Sequence, residues 1–228
     1  MITYVTAFLC GKSPKHTYDT YLTHFRQLAT TGIHIVLFLD KNTGWNSFPK
    51  NVLVIDSSLD ETWVGKNVPK QAELPAIRSG NDTCEYMMIQ NTKTEFVFRT
   101  SQINPYNTEW FAWIDFGIGH VFKEPEQTFE RIRTLNPPKT PCIRTAGIWG
   151  HMSDKSCDRV CWRFAGGFFL AHVSRILQFH EAVKANIATN LPRIAWEVNV
   201  WGDVERGGID LGWFPADHDD TIIPKNEL

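Results

Sequence analysis

The chain has 228 residues, with 23 lysine and arginine residues against 25 acidic residues, which gives a formal net charge of −2. The composition, 43% hydrophobic and 21% charged, is that of a globular protein with a sizeable core, and it excludes disorder over most of the chain. The near-neutral charge, without a long basic run, argues against a nucleic acid partner that is held by its phosphate backbone.

The first half of the chain alternates between two kinds of pattern. It predicts strands over residues 2–9, 33–39, 51–55 and 110–114, and helices over 18–30 and 83–100. Such alternation is typical of a parallel α/β sheet. Residues 57–80 show no clear periodicity of apolar residues, so we expect a long loop there with one helical turn.

The second half has shorter and less regular segments. Helices are predicted over 126–135, 173–185 and a stretch that follows Pro192 and ends at Gly207; strands are predicted over 141–144, 163–171 and 209–214. No internal repeat, low-complexity tract or linker is found. We therefore expect a single domain over residues 1–228.

The N-terminal residues carry no basic flank and no long apolar stretch, and no later run has the length of a membrane span, so we expect a cytoplasmic protein. The five cysteines are scattered and form no C-x-x-C pair. We expect reduced, mostly buried thiols at these positions, which are Cys10, Cys84, Cys142, Cys157 and Cys161.

Asp115 directly follows the predicted strand 110–114, and Gly117 follows two residues later. In open α/β sheets, ligands bind at the carboxyl ends of the strands, so Asp115 is placed to hold a divalent metal or a ribose hydroxyl. Gly117 would let a ligand approach the backbone closely. The alternative is an aspartate that only forms hydrogen bonds within a turn.

Two other motifs place small or charged residues among aromatic ones. Gly166 and Gly167 lie between bulky apolar residues, which indicates either a sugar pressed against the backbone or a β-bulge without a ligand. Glu197 lies beside Trp196 and near Trp201, where aromatic neighbours would raise the pKa of its carboxyl group into the range of a general base. The alternative is a solvated glutamate on an amphipathic helix.

A cluster of acids and one imidazole follows the last predicted strand, at Asp217, His218, Asp219 and Asp220. Carboxylate and imidazole groups are the ligands expected for manganese or a similar divalent ion. A solvated acidic turn is the alternative interpretation.

Taken together and in order, these motifs resemble the bacterial HtrL/YibB family over nearly the whole chain. The residues that carry the resemblance are 4–7, 85–94, 104–105, 111–117, 162–169, 196–201 and 217–219. The resemblance implies a glycosyltransferase of surface-glycan assembly, and the same pattern is expected in virus-encoded relatives that glycosylate capsid proteins. The implied fold is GT-A-like: a Rossmann-type mixed sheet, mostly parallel and flanked by helices.

The resemblance also implies how the chain is divided and what it binds. Residues 1–120 or so would bind a nucleotide-sugar linked to UDP or GDP, and residues 121–228 would bind an oligosaccharide, lipooligosaccharide or glycoprotein acceptor. An acceptor on a lipid would bring the protein to the periphery of a membrane. Asp115 matches the metal motif of such enzymes, usually Asp-x-Asp, but Gly117 stands at its third position.

Because one carboxylate is missing, either His218 and a neighbouring acid complete the shell of an Mn²⁺ or Mg²⁺ ion together with Asp115, or metal dependence is weak. Lys93 or Arg163 would stabilise the diphosphate leaving group. Thr6, Ala7 and Asp40, which lie at the ends of the first two strands, would face the base and the ribose.

On the acceptor side, Glu197 is the candidate general base of an inverting reaction, and in a retaining reaction it would only orient the acceptor. Gly166, Gly167 and Trp196 would line the sugar site. Two other functions stay open: a carbohydrate-binding protein without catalysis, and a sugar nucleotidyltransferase. The second is weaker, since no glycine-rich phosphate loop follows the first strand.

Overall fold

A computed structural model describes residues 1–9, 17–151 and 158–226. These residues form one seven-stranded sheet in the order β3-β2-β1-β4-β6-β5-β7. The strands are Ile2–Phe8 (β1), His34–Asp40 (β2), Val52–Ser57 (β3), Trp110–Ile114 (β4), Ile143–Gly147 (β5), Phe168–His172 (β6) and Trp213–Pro215 (β7). Strands β1 to β4 pair in parallel, β6 runs antiparallel to β4 and β5, and β7 is parallel to β5. The predicted mixed, mostly parallel sheet is confirmed.

Helices cover both faces of this sheet. They are Tyr18–Ala29 (α1), Trp63–Asn67 (α2), Cys84–Gln90 (α3), Lys93–Ile103 (α4), Pro125–Thr134 (α5), Val173–Asn190 (α6) and Glu197–Arg206 (α7). Successive strand residues point to opposite faces, so each strand contributes to two cores. In β1, for example, Val5 belongs to the core that contains residues of α4, α6 and α7, whereas Tyr4 belongs to the core that contains residues of α1 and α5.

Some predicted boundaries are wrong for identifiable reasons. The single helix over 83–100 is two helices, because the Asn91 side chain caps the end of α3 with hydrogen bonds to the carbonyls of Met87 and Ala195. By contrast, the helical turn expected within the loop 57–80 is present as the short helix α2. Helix α6 continues to Asn190, five residues beyond its predicted end.

Two helix and strand starts also differ from the prediction. Helix α7 begins only at Glu197, because the residues after Pro192 are extended and pair with Glu73. Strand β6 begins only at Phe168, since the chain before it turns away at Gly166 and Gly167. The last strand is likewise shorter than predicted, Trp213–Pro215.

Helix α1 connects β1 to β2, which pairs with β1 on one side, whereas β4 pairs with β1 on the other side. The space between the carboxyl ends of β1 and β4 is therefore a topological switch point, where open α/β sheets bind ligands. In the part of the chain that the structure describes, no helix is long and apolar enough to cross a membrane.

The prediction that the cysteines are mostly buried is confirmed only in part. Of Cys84, Cys142 and Cys161, only Cys161 is buried. Cys10 and Cys157 lie outside the described residues.

Candidate functional site

A cavity of about 320 Å³ opens at the switch point between β1 and β4. Its walls come from the carboxyl ends of these two strands, the starts of α4 and α7, the turn before β6 and the C-terminal segment. Of the residues singled out from the sequence, the cavity brings together Ala7, Lys93, Asp115, Gly117, Gly166, Gly167, Glu197 and His218.

A buried ammonium group joins two carboxylates in this cavity. The Nζ atom of Lys93 lies 3.0 Å from Oδ1 of Asp115 and 2.8 Å from Oε1 of Glu197. It also donates a hydrogen bond of 2.9 Å to the carbonyl oxygen of Gly166. Because a lysine ammonium has three N–H groups, these three oxygens use all of its donors.

The ends of two helices hold this network in place. Lys93 is the first residue of α4, and Glu197 is the first residue of α7. The positive end of a helix dipole favours the carboxylate of Glu197 but disfavours the ammonium of Lys93. Burial lowers the pKa of Lys93, but the charges of Asp115 and Glu197 outweigh burial and raise it. The lysine is therefore held in its charged form.

Two glycines let neighbouring side chains approach the backbone closely. A Cβ atom at Gly166 would collide with Oε1 of Glu197, and one at Gly167 would lie 2.8 Å from the side chain of Ile118. A second contact holds the Asp115 side chain in place: its Oδ1 atom accepts a 2.7 Å hydrogen bond from Nε1 of Trp113. The close approach that glycine permits is thus used by protein side chains.

Aromatic rings form much of the cavity wall. Phe8 contacts Tyr18, Tyr21 and Phe116 at ring-centroid distances of 5.5, 5.3 and 4.9 Å. Tyr86 lies on the same lining. Burial, with added repulsion from the charges of Glu197 and Asp115, raises the pKa of the Tyr86 hydroxyl, so it stays protonated. The wall therefore offers flat apolar surfaces beside carboxylate groups.

The C-terminal segment closes the opposite side. The His218 ring packs edge-on against Trp162, with ring centroids 4.2 Å apart. Partial burial and the nearby His120 lower the pKa of His218, although Asp217 and Asp219 act in the opposite direction. At neutral pH, His218 is therefore an uncharged imidazole at the cavity wall.

The other acids of this segment have structural partners. Oxygens of Asp220 accept hydrogen bonds from the backbone N–H groups of Lys123 and Glu124 and from the hydroxyl of Thr128, so Asp220 caps the start of α5. Asp219 pairs with the Lys123 ammonium at 2.8 Å. These contacts tie the C-terminal segment to α5.

Four predicted site residues do not line the cavity. Thr6 is fully buried within the sheet, and Trp196 is buried in the core. Asp40 caps the 3-10 turn that follows β2 by accepting a hydrogen bond from the N–H of Asn42. Arg163 forms a two-pronged ion pair with Glu205 instead of facing the cavity.

The donor set does not fit a resident divalent ion at Asp115. Across residues 1–9, 17–151 and 158–226, no group of three histidine, cysteine, aspartate or glutamate side chains is arranged to hold a metal. The Oδ1 atom of Asp115 is already shared by Lys93 and Trp113. An ammonium 3.0 Å from the proposed ligand would also repel a second cation.

Sequence reasoning missed several residues of the site. Trp113 could have been found, because residues i and i+2 of a strand share a face, which places Trp113 beside Asp115. Tyr21, Tyr86 and Trp162 gave no such signal, since their approach to the cavity depends on how helices and loops pack on the sheet.

Solved structures similar to this chain include three enzymes. One is a glycosyltransferase involved in the glycosylation of the major capsid of PBCV-1, with a TM-score of 0.49 and 14% identity, covering 95% of this chain and 81% of the other. The bifunctional IspDF from Campylobacter jejuni has a TM-score of 0.47 and 9% identity, covering 98% of this chain and 51% of the other, so the chain spans about half the length of IspDF. Mouse xyloside xylosyltransferase 1 has a TM-score of 0.42 and 12% identity, covering 94% and 84% of the two chains.

Comparison with curated protein sequences gives no match. The sequence profile of a family described as "Bacterial protein of unknown function (HtrL_YibB)" matches residues 66–187, which is more than half of the chain. The chain therefore belongs to the HtrL/YibB family.

Proposed function

We propose that this protein is a glycosyltransferase, which moves a sugar from a nucleoside-diphosphate sugar to a glycan acceptor. The observation that carries the proposal is the network of Asp115, Lys93 and Glu197 in a cavity at the switch point between β1 and β4. Enzymes with open α/β sheets bind nucleotides and related ligands at this position. The proposal takes the donor nucleoside to be that of UDP or GDP.

The chemistry of the cavity supports a sugar ligand. Carboxylate oxygens of Asp115 and Glu197 can accept hydrogen bonds from sugar hydroxyls, while the rings of Phe8 and Tyr21 offer apolar surfaces. Such a mixture of a few convergent polar groups and aromatic walls is common in small-molecule sites. Ala7, near the carboxyl end of β1, also lines the cavity, and the proposal puts the nucleoside next to it.

In the proposed transfer, the bond between the sugar carbon and the diphosphate oxygen breaks, and a bond from the acceptor oxygen to that carbon forms. The proton of the acceptor hydroxyl passes to Glu197, and the nucleoside diphosphate leaves. Lys93 holds Oε1 of Glu197, so Oε2 is the oxygen that receives the proton. Lys93 therefore acts as a positioning residue for the carboxylate. Among the residues that the structure describes, the donor set at Asp115 does not fit a divalent ion.

The test is release of nucleoside diphosphate, measured by ion-exchange chromatography, from UDP- and GDP-sugars with and without glycan acceptors. We expect release by the wild type and a loss of at least tenfold in Glu197→Gln, which removes the proton acceptor but keeps the shape of the side chain. Asp60→Asn, at an exposed surface pair, is the matched control and should keep full activity. Release of pyrophosphate from a nucleoside triphosphate and a sugar 1-phosphate, with none of the nucleotide-sugars turned over, would instead indicate a nucleotidyltransferase.

One observation favours a second candidate, a carbohydrate-binding protein without catalysis. Lys93 has all three N–H groups occupied, and Arg163 is paired with Glu205, so neither of the two predicted cations is free to meet a diphosphate. A protein of this kind would bind neutral glycans and release no nucleotide from any donor. Glycan binding measured by calorimetry, without turnover, would favour this function.

A further inference from the structure

Three oxygen atoms from separate parts of the chain converge on one point in the cavity. They are Oδ1 of Asp115 after β4, Oε1 of Glu197 at the start of α7, and the carbonyl oxygen of Gly166. All three lie between 2.8 and 3.0 Å from the Nζ atom of Lys93. An arrangement of two carboxylates and a carbonyl around one point is an oxygen cage of the kind that hard cations occupy.

The lysine is not free to leave this cage. Its side chain is only 4% exposed, and it begins at the first residue of α4, whose backbone is fixed by the helix. Moving the ammonium away would leave the buried carboxylate of Glu197, and the part-buried carboxylate of Asp115 beside it, without a counter-charge, which proteins disfavour. A divalent ion at Asp115 would have to share this space with the ammonium.

We propose that Lys93 is the built-in cation of this site: its ammonium group fills the cage formed by Asp115, Glu197 and Gly166 and keeps a divalent ion away from Asp115. The site therefore takes up no divalent ion unless Lys93 is removed. A consequence that rests on the proposed function is that turnover of a nucleotide-sugar does not depend on a divalent metal.

The direct test is a titration with Mn²⁺ alone, with free Mn²⁺ followed by electron paramagnetic resonance. We expect the same Mn²⁺ binding curve for the wild type and for Asp115→Asn. The Lys93→Ala variant, which empties the cage, should gain one bound Mn²⁺, and the double variant Lys93→Ala/Asp115→Asn should lose it. An Mn²⁺ bound by the wild type and lost in Asp115→Asn would overturn the proposal.

Folding of the lysine variant is controlled separately. Circular dichroism checks that Lys93→Ala is folded, and methylammonium chloride, which can place an ammonium in the cage, should raise its melting temperature more than that of the wild type. A folded Lys93→Ala that binds neither Mn²⁺ nor methylammonium would contradict the cage. If this variant does not fold, the comparison of the wild type with Asp115→Asn still decides the question.

Turnover distinguishes this proposal from the function on which its consequence rests. Release of nucleoside diphosphate that is equal in EDTA and in Mn²⁺ supports both. Release that requires Mn²⁺ overturns the built-in cation but leaves the glycosyltransferase standing. If no donor is turned over under any condition, the proposed function fails, while the Mn²⁺ titration still tests the cation.

Discussion

Gly166 and Glu197 are in such close contact that any side chain at Gly166 would collide with Oε1 of Glu197. The same glycine gives its carbonyl oxygen to the ammonium of Lys93. The turn before β6 and the start of α7 are therefore fitted to each other through one carboxylate. This contact makes the position of Glu197 sensitive to a single methyl group.

Gly166→Ala is expected to displace Glu197 from Lys93 and to destabilise the protein by about 1–3 kcal/mol, as overpacked sites generally do. Release of nucleoside diphosphate should fall with it. Gly80→Ala is the matched control, since a Cβ atom there meets nothing within 4 Å. Urea unfolding measures the change in stability, and the release assay measures the change in activity. Equal stability and equal activity of Gly166→Ala and Gly80→Ala would contradict the close contact between Gly166 and Glu197.

The ion pair of Arg163 with Glu205 predicts a loss of stability that is separate from donor binding. Both side chains are mostly buried, and Arg163 also stacks on the ring of Trp213 at 4.9 Å. A lysine cannot reproduce the two-pronged contact, so Arg163→Lys and Glu205→Gln should each cost about 1–3 kcal/mol in urea unfolding. Both variants should keep the donor affinity of the wild type. A weaker donor affinity in Arg163→Lys alone would show that Arg163 meets the diphosphate.

Asp220 should stabilise the attachment of the C-terminal segment to α5. The two carboxylate oxygens of Asp220 accept three hydrogen bonds, and Asp220→Asn replaces one of these oxygens with an amide nitrogen and removes the charge. We expect the free energy of unfolding to fall by about 1–3 kcal/mol. Asp60→Asn serves as the surface control, because its pair with Lys70 is exposed and 3.9 Å long. Equal stability of the two variants would show that the cap contributes nothing.

His180 gives the protein a pH dependence that lies outside the cavity. Burial, aided by the charge of Lys184 and opposed by that of Glu181, lowers the pKa of His180 to about 4. In the unfolded chain its pKa is near 6.5, so the unfolded state takes up the proton first as the pH falls. The stabilisation is therefore fully present above about pH 6.5 and is lost progressively between about pH 6.5 and 4.

The His180→Gln variant removes this titration. We expect its free energy of unfolding to fall less steeply than that of the wild type between pH 6.5 and 4, as measured by urea unfolding at several pH values. His34→Gln, a change at a histidine in another part of the chain, at the start of β2, is the comparison variant. Parallel curves for the wild type and His180→Gln would contradict the lowered pKa.

The order of the elements could be predicted because buried strands and amphipathic helices have clear periods. The strand predicted over 110–114 is confirmed, and for this reason the sequence places Asp115 correctly at the carboxyl edge of the sheet. The contact between Lys93 and Glu197 could not be predicted, since these residues are 104 positions apart and meet only through the packing of α4 and α7. No local pattern reports which partner a lysine at the start of a helix will find.

The same limit explains the residues that lie elsewhere. The resemblance implies that Arg163 stabilises a diphosphate, but its guanidinium group pairs with a glutamate 42 residues away. The acidic cluster after the last strand was expected to supply metal ligands, yet Asp219 and Asp220 bind residues near the start of α5. Composition identifies groups that are able to bind a ligand, whereas tertiary packing decides which of them are already occupied.

The measurement that tests the central claim most directly is a thermal-shift panel of UDP-, GDP-, CDP- and dTDP-sugars, with EDTA or with Mn²⁺, on the wild type, Asp115→Asn and Asp60→Asn. A ligand at a hundred times its dissociation constant adds about 2.7 kcal/mol of stability, which such a panel detects easily. We expect one donor class to stabilise the wild type and Asp60→Asn in EDTA, and to lose its effect in Asp115→Asn. No shift with any donor, or a shift that survives Asp115→Asn, would contradict a nucleotide-sugar site at Asp115.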